Sequence, residues 1–297
     1  MRIGIDIGGT KIEGIALDPA GSIVFRERVP TPAGDYVATV AAVASLVERI
    51  ESNTNNTGSV GIGIPGAISP ASGLVKNANS TCLIGMPLDR DLAHALHREV
   101  RIANDADCFA LSEAHDGAAA GFSPVFGVIL GTGVGGGIVI EGTLLSGPNA
   151  ISGEWGHNPM PGEVADAPVC YCGRAGCIET YLSGPGLSAD HRRATGETLS
   201  PPEIAAAADG GNADAEATMA RYERRLARAL ASVINIVDPA ALVLGGGLSG
   251  IERLYRNVPE LLPLYVFSDT IETVFLPPKF GDSSGVRGAA WLWPESS

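Results

Sequence analysis

Three cysteines stand close together in Cys170-Tyr171-Cys172-Gly173-Arg174-Ala175-Gly176-Cys177, and the glycines between them permit tight turns. Zinc is bound in a tetrahedron by thiolates and imidazole nitrogen, so three thiols need a fourth ligand. His157 lies near enough in the sequence to complete a closed Cys₃His site. Two alternatives stay open: a fourth ligand other than His157, and three thiols that bind no metal.

Two glutamates flank this cysteine segment, Glu154 before it and Glu179 after it. If the chain folds around a zinc ion, carboxylates from two separate segments are held near one place. Such carboxylates accept hydrogen bonds from the vicinal hydroxyls of a sugar. The alternative for each is an ordinary surface glutamate, which is the commoner environment.

A phosphate-binding turn is indicated near the start of the chain by the sequence Asp-x-Gly-Gly-Thr-Lys. Its functional residues are Asp6, Gly8, Gly9, Thr10 and Lys11. The glycines admit an anion, the threonine supplies a hydroxyl, the lysine supplies a charge, and the aspartate can hold Mg²⁺ through water. The alternative is a plain glycine hairpin with an N-capping aspartate.

A second glycine-rich segment repeats this order of apolar strand, turn and apolar strand. The residues that we assign to nucleotide binding there are Gly131, Thr132, Gly133, Gly135 and Gly136. A dinucleotide fingerprint must open a helix, whereas this segment leads into the strand-like Ile138-Val139-Ile140. We therefore predict a second phosphate-facing hairpin. A third turn, Gly245-Gly246-Gly247, allows a nucleotide to lie against backbone, although a tight turn explains it equally well.

Asn104-Asp105 marks the junction of a short strand and a helix that runs to about residue 116. Short polar side chains suit the N-cap position, so helix capping alone can explain both residues. A carboxylate held at a helix N-terminus also suits a general base that accepts the proton of a hydroxyl. We predict that Asp105 is that base.

Alternating strands and helices must position these residues. The pattern predicts a helix over 35–50, strands over 60–64, 101–103 and 241–244, a long helix over 213–237 with a solvated arginine face, and a short terminal helix over 288–293. With 297 residues, 45% apolar residues and 39 glycines, we expect an α/β protein with two lobes.

The charge balance excludes several partners. A net charge of −13 opposes nucleic acid and anionic membrane surfaces, so phosphates must be held locally by backbone N–H groups and Mg²⁺. Residues 117–140 carry no charge, but glycines and Pro124 interrupt them, so no membrane span is expected. The first residues lack a signal-peptide core, and we expect a cytoplasmic protein.

Five motifs, taken in order along the chain, resemble those of the ROK family of repressors and sugar kinases. They are the aspartate-glycine turn, Asn104-Asp105-Ala106, Gly131-Thr132-Gly133, Gly153-Glu154-Trp155-Gly156-His157 and the cysteine segment. The resemblance extends to Gly281–Gly288. Within this family the chain is most similar to bacterial fructokinase/mannokinase, with N-acetylglucosamine kinase next. The segments that carry this similarity are Lys76-Asn77-Ala78-Asn79-Ser80-Thr81, Glu154–Pro159 and Trp291-Leu292-Trp293-Pro294.

The resemblance implies an actin-like ATPase fold, that is, a duplicated ribonuclease H-like two-lobed fold with a zinc knuckle. It implies a first lobe of 1–118 on which 288–297 packs, and a second lobe of 119–287. It implies ATP with Mg²⁺ on the glycine turns and structural Zn²⁺ on His157, Cys170, Cys172 and Cys177. Its implied sugar ligands are Asn79, Asn104, Asp105, Glu154, His157 and Glu179.

The expected reaction is phosphorylation of a hexose at its 6-hydroxyl, with fructose preferred and mannose next. The alternatives are an N-acetylglucosamine kinase and a non-catalytic sugar-binding regulator of the same family. A DNA-binding repressor would need a helix-turn-helix before the sugar domain, and the first strand already begins at residue 2. The expected partners are a small sugar and ATP, and a homodimer is left open.

Overall fold

The apolar strand at the start of the chain forms the centre of the first sheet. The computed structural model describes residues 1–78, 80–163 and 166–293. Up to residue 120 the elements are β1 (Arg2–Ile7), β2 (Lys11–Leu17), β3 (Ile23–Pro30), α1 (Tyr36–Thr54), β4 (Ser59–Ile64), β5 (Ala67–Ile68), β6 (Val75–Lys76), α2 (Leu88–Leu96), β7 (Val100–Asn104) and α3 (Asp105–His115).

The later elements include the long helix that the sequence predicted over 213–237. They are β8 (Val125–Leu130), β9 (Val134–Ile140), β10 (Thr143–Leu144), α4 (Glu179–Leu182), α5 (Gly184–Thr195), α6 (Pro201–Asp209), α7 (Ala213–Val237), β11 (Ala241–Gly245), α8 (Arg253–Leu261), β12 (Val274–Leu276) and α9 (Ser284–Ala290). Short 3₁₀ turns include Thr81–Leu83, Trp155–His157 and Gly247–Gly250.

The two five-stranded sheets have the same relative strand order, which agrees with the strand–turn–strand pattern that the two glycine-rich segments have in common. The first is β3-β2-β1-β4-β7 and the second is β10-β9-β8-β11-β12. In the first sheet β1, β4 and β7 run parallel, and in the second β8, β11 and β12 do so. The carboxyl ends of parallel strands meet at one edge, where ligands bind in open α/β sheets. The predicted α/β class is confirmed.

The chain divides into two units. One holds residues 1–120, 137–152 and those from 282 onward, and the other holds 121–136 and 153–281. This division assigns 137–152 and 282–287 to the first unit, whereas the expected boundaries placed them in the second lobe. Gly137 explains part of the difference, because its Cα lies against Ala106 and Asp107 of α3 with no room for a side chain.

The terminal helix begins earlier than the sequence predicted, at Ser284 rather than at residue 288. The hydroxyl of Ser284 donates to the buried carboxylate of Glu113 on α3 at 2.7 Å, which anchors the first turn. Gly288 faces the backbone of Cys108, and a Cβ at that position would overlap its carbonyl oxygen. α9 therefore packs on α3 at backbone distance.

The arginine face of α7 is not simply solvated, contrary to the prediction. The guanidinium of Arg225 donates to Asp190 at 2.8 Å and to Glu163 at 3.1 Å, and the Arg225 side chain is only 12% exposed. Arg228 also donates to Glu163, at 2.8 Å. The sequence pattern missed these pairs because both acidic partners belong to distant segments. Within the part of the chain that the structure describes, no helix has the length and apolar character to span a membrane.

Candidate functional site

The turn between β1 and β2 is held from β3. The backbone N–H of Gly8 donates to Lys11 O at 2.9 Å and closes the hairpin. The hydroxyl of Thr31 donates to Gly8 O at 2.7 Å, and its N–H donates to Thr10 O at 3.0 Å. Gly9, Thr10 and Lys11 are exposed. The predicted phosphate residues therefore lie on a braced turn whose outer side is open to a ligand.

Asp6 precedes this turn, at the carboxyl end of β1. Burial and, less strongly, the negative charges of Asp105 and Glu13 together raise the pKa of its carboxyl group to about 6 from an ordinary 3.8, against a smaller opposing effect of Lys11. Asp6 is in register with Gly63 of β4, and Asp105 directly follows Asn104, which is in register with Ile64 on the other side of β4. A divalent cation bound here would relieve their repulsion, and carboxylate oxygen suits Mg²⁺.

Asn104 ends β7 and caps α3. Its Oδ1 accepts from Ala106 N at 2.9 Å, and its Nδ2 donates to Gly66 O at 3.1 Å. Asp105 is the first helical residue, and its Oδ1 also accepts from Ala106 N, at 2.8 Å. The capping role is thus shared between Asn104 and Asp105. Asn79, a predicted sugar ligand, lies outside the described residues.

In the second unit, the turn between β8 and β9 rests on Glu179. The N–H of Gly131 donates to Gly133 O at 3.0 Å, and the N–H of Val134 donates to Glu179 Oε2 at 3.0 Å. A Cβ on Gly133 would lie 2.5 Å from the same carboxylate oxygen, so a side chain there would displace Glu179. Glu179 therefore braces a predicted phosphate turn, a contact that sequence reasoning did not foresee. Thr132 is exposed.

Gly135 and Gly136 make contacts within the protein. Gly135 O accepts from the indole N–H of Trp155 at 2.8 Å. Gly136 is buried, and its Cα faces the ring of Phe126. Their predicted role in nucleotide binding stays a prediction, and packing alone accounts for their small size.

The turn after β11 lies beside the β8–β9 turn. Gly245 ends β11, and Gly246 has φ +80° with its Cα pressed against Leu130 of β8. Gly247 has open space where a side chain would be, and its N–H lies 3.9 Å from the position of a Cβ on Gly131. Two of the three predicted nucleotide turns are thus neighbours, and the short 3₁₀ helix 247–250 follows the second of them.

The predicted zinc ligands converge. One ligand atom from each of His157, Cys170, Cys172 and Cys177 lies within 4.8 Å of the others. The Sγ atoms of Cys172 and Cys177 are 3.6 Å apart, and Cys170 Sγ is 3.7 Å from His157 Nδ1. Zn–S bonds of about 2.3 Å in a tetrahedron place ligands about 3.8 Å apart, so this cluster fits zinc.

Tyr171 orients the histidine of this cluster. Its hydroxyl lies 3.1 Å from His157 Nε2, which leaves Nδ1 for the metal. Burial and, less strongly, the negative charges of Glu179 and Glu154 together raise the pKa of the Tyr171 hydroxyl to about 12. Both glutamates are therefore close to the knuckle, as the sequence predicted. The predicted sugar contact of His157 is not tested by these distances.

Burial also raises the pKa of the Cys177 thiol to about 12. Zinc binds thiolate, so a strongly held cation is needed to keep this sulfur deprotonated at neutral pH. Cys170 Sγ lies 3.8 Å from Glu179 Oε1, while the other oxygen of Glu179 holds the β8–β9 turn. The metal cluster and a phosphate turn are therefore joined through one carboxylate.

Sequence reasoning missed Thr31 and Tyr171. Thr31 lies between two prolines after β3, and its partner turn is far from it in sequence, so no local spacing indicates the contact. Tyr171 stands between two cysteines of the knuckle, and the preference of a metal-bound histidine for a second hydrogen-bonding partner was an available signal.

The profile of the ROK family matches residues 2–296. A relative named N-acetyl-D-glucosamine kinase, from Yersinia pseudotuberculosis serotype O:3, is 41% identical over 98% of both chains. Two solved structures cover nearly all of the chain. The ROK hexokinase of Thermus thermophilus has a TM-score of 0.87, 30% identity, and coverage of 98% of this chain and 97% of its own.

The second structure is a ROK family glucokinase from Streptomyces griseus in complex with glucose and AMPPNP. Its TM-score is 0.78, its identity is 28%, and 99% of each chain is covered. These likenesses confirm the expected actin-like ATPase fold. The names of the relatives give no support to fructose, and they agree with the alternative that the sequence left open.

We expect one zinc ion per chain, because the four ligand atoms lie within 4.8 Å of one another in a Cys₃His set. Cys172→Ser removes one ligand and should release the metal and lower the melting temperature, measured by elemental analysis and thermal unfolding. Cys82→Ser, outside the cluster, is the matched control and should keep its zinc. Zinc-free wild-type protein with an unchanged melting temperature would contradict the site.

We expect Asp6→Asn to stabilise the Mg²⁺-free protein above pH 6. The raised pKa means that the charged carboxylate disfavours the folded state at neutral pH, by up to about 3 kcal/mol. The gain should shrink as the pH falls from 6 towards 3.8, because wild-type Asp6 then becomes protonated. Urea unfolding of both proteins across this range measures it, with exposed Asp269→Asn as control, and a gain independent of pH would contradict it.

Proposed function

The chain belongs to the ROK family, and from that membership we propose that it is an ATP-dependent kinase of N-acetylglucosamine. The observation that carries the proposal is the 41% identity, across 98% of both chains, to a relative named for that activity. The glucokinase complex with a nucleotide analogue supports ATP as the phosphoryl donor. Fructose and mannose, which the sequence favoured, become the less supported substrates.

The proposed roles follow from the chemistry of phosphoryl transfer, in which a protein mainly positions two oxygens and neutralises charge. Mg²⁺ would supply positive charge to the phosphates, and Asp6 is the residue that would hold it. Backbone N–H groups of the β1–β2 and β8–β9 turns would bind phosphate oxygens without a basic surface. This agrees with the net charge of −13.

Asp105 is proposed as the base that takes the proton of the sugar's 6-hydroxyl. One oxygen is bound to Ala106 N, which sets the orientation of the carboxylate. The side chain of Asn104 caps the same helix and accepts from the same Ala106 N–H, so hydrogen bonds from two neighbouring residues hold the backbone beside Asp105. The proposal needs little basicity, because the proton leaves the hydroxyl late in a loose transition state.

The remaining assignments stay predictions. Asn104, Glu154 and Glu179 are proposed sugar ligands, with His157 as a further one and Asn79 outside the described residues. Glu154 is half-buried and does not cap the 3₁₀ helix that follows it, which is compatible with ligand binding. Glu179 Oε2 accepts a backbone hydrogen bond from Val134, and its Oε1 lies 3.8 Å from Cys170 Sγ, so a sugar hydroxyl would share a carboxylate that the knuckle already positions.

We expect Asp105→Asn to lower turnover about a hundredfold or more and to leave ATP binding nearly unchanged. The amide keeps the size and the capping oxygen but cannot accept the proton. Steady-state kinetics and calorimetry with ATP measure the two effects. Asp214→Asn, in the exposed first turn of α7, should change neither. Turnover close to wild type would leave Asp105 with only its capping role.

A panel of sugars tests the substrate. ADP release with N-acetylglucosamine, N-acetylmannosamine, glucose, mannose and fructose should give the highest kcat/KM for N-acetylglucosamine. A lead for fructose would restore the expectation from the sequence and overturn this proposal, while the kinase assignment would stand. Failure to release ADP with any hexose would overturn the kinase assignment itself.

A further inference from the structure

Two side chains beside the metal cluster hold the same glycine-rich turn. Trp155 stands two residues before the predicted metal ligand His157, and Glu179 stands two residues after the predicted ligand Cys177. The indole N–H of Trp155 donates to the β8–β9 turn, where β9 begins, at a distance of 2.8 Å, and the carboxylate of Glu179 accepts from it at 3.0 Å. Each side of the cluster therefore supplies one hydrogen bond to this turn.

The backbone before and after the cluster also packs against the turn. The Cα of Gly156 faces Val134 so closely that a Cβ there would overlap the carbonyl oxygen of Val134. On the other side, the N–H of Gly184 donates to Gly131 O at 2.8 Å. The turn is thus bounded by the two segments that precede and follow the cluster, and it has little freedom to move independently of them.

Trp155 is itself held in place. Its side chain is buried, and its ring meets that of Phe126 on β8 edge to face, with ring centroids 5.9 Å apart. Trp155 begins the short 3₁₀ helix that ends at His157, and its carbonyl oxygen accepts from Asn158 N at 3.0 Å. A metal ion that fixes the imidazole of His157 would therefore also restrain the backbone that carries the indole.

The rigidity of this turn bears on nucleotide binding. A backbone turn binds phosphate oxygens well when its N–H groups are already aimed, and the free energy of ordering a loose turn is lost from the affinity. With a net charge of −13, the chain has no general positive field that would compensate for such a loss. We therefore expect the bonds that hold the turn to affect the affinity for nucleotide.

We propose that Trp155 is a positioning residue for the nucleotide and that, together with Glu179, it makes nucleotide affinity depend on the occupation of the metal cluster. Trp155 acts through the carbonyl of Gly135, which its indole N–H holds in the shape that receives phosphate. The inference rests on the proposed function and goes further, because it gives a structural metal a role in binding the phosphoryl donor, which no sequence motif indicates.

A matched pair of substitutions tests Trp155. Trp155→Phe keeps an aromatic ring but removes the indole N–H that reaches the turn. Trp293→Phe removes an equivalent bond in the first unit, from the indole N–H to Val60 O at 2.7 Å. The zinc-loaded proteins are compared in calorimetric binding of Mg²⁺–AMPPNP without sugar and of N-acetylglucosamine without nucleotide. Hydrogen exchange of the amides at 131–136 and thermal unfolding are measured on the same samples.

We expect Trp155→Phe to weaken AMPPNP binding about fivefold, the worth of one net hydrogen bond, and to speed amide exchange at 131–136. Sugar affinity should change less. Trp293→Phe should lower the melting temperature similarly and leave nucleotide affinity unchanged. Equal effects of the two variants on AMPPNP, or none in Trp155→Phe, overturn this inference alone. A wild-type protein that binds no AMPPNP overturns the proposed function as well.

Zinc removal by a chelator tests the dependence on the metal. In the wild-type protein it should weaken AMPPNP binding and speed amide exchange at 131–136 more than in β11, which lies in the same sheet. Unchanged affinity and exchange in a folded, zinc-free protein overturn the dependence. If the second unit unfolds without zinc, the zinc-loaded Trp155→Phe protein decides the inference in either direction.

Discussion

The backbone contact between α9 and the first sheet is the constraint on which the first unit depends. Gly4 of β1 and Gly61 of β4 leave no room for a side chain beneath α9, and Gly288 leaves none above α3. The buried bond from Ser284 to Glu113 and the ion pair of Arg287 with Asp116 hold the helix there. The strand that carries Asp6 and the helix that carries Asp105 are thereby packed on one element.

This packing explains how the first unit can hold two carboxylates close together. Burial and a like charge disfavour the ionised form of Asp6, and the raised pKa records that cost. A protein tolerates such a cost where the surrounding structure allows no relaxation. Residues that would otherwise be unfavourable neighbours become a candidate site for a cation and a hydroxyl.

In the second unit the side chain of Glu179 connects the cysteine cluster to the β8–β9 turn. Glu179 follows the knuckle directly, contacts Cys170 Sγ with one oxygen and accepts from Val134 N with the other. Metal binding and the shape of the β8–β9 turn are therefore coupled through short contacts. A zinc ion that fixes the knuckle would also fix the position of Glu179, which gives a structural metal an influence on proposed ligand contacts.

The sequence by itself determined the local features: the α/β class, the hairpin around Gly8 and Gly9, the strand-to-helix junction at Asn104, and the four metal ligands. Each depends on spacing along the chain and on backbone preferences, which act over a few residues. Tertiary structure alone decided that Thr31 braces the first turn, that Arg225 is paired instead of solvated, and that Trp155 holds the β8–β9 turn. Those contacts join segments far apart in the chain, and their geometry depends on how whole strands and helices pack, which no local pattern encodes.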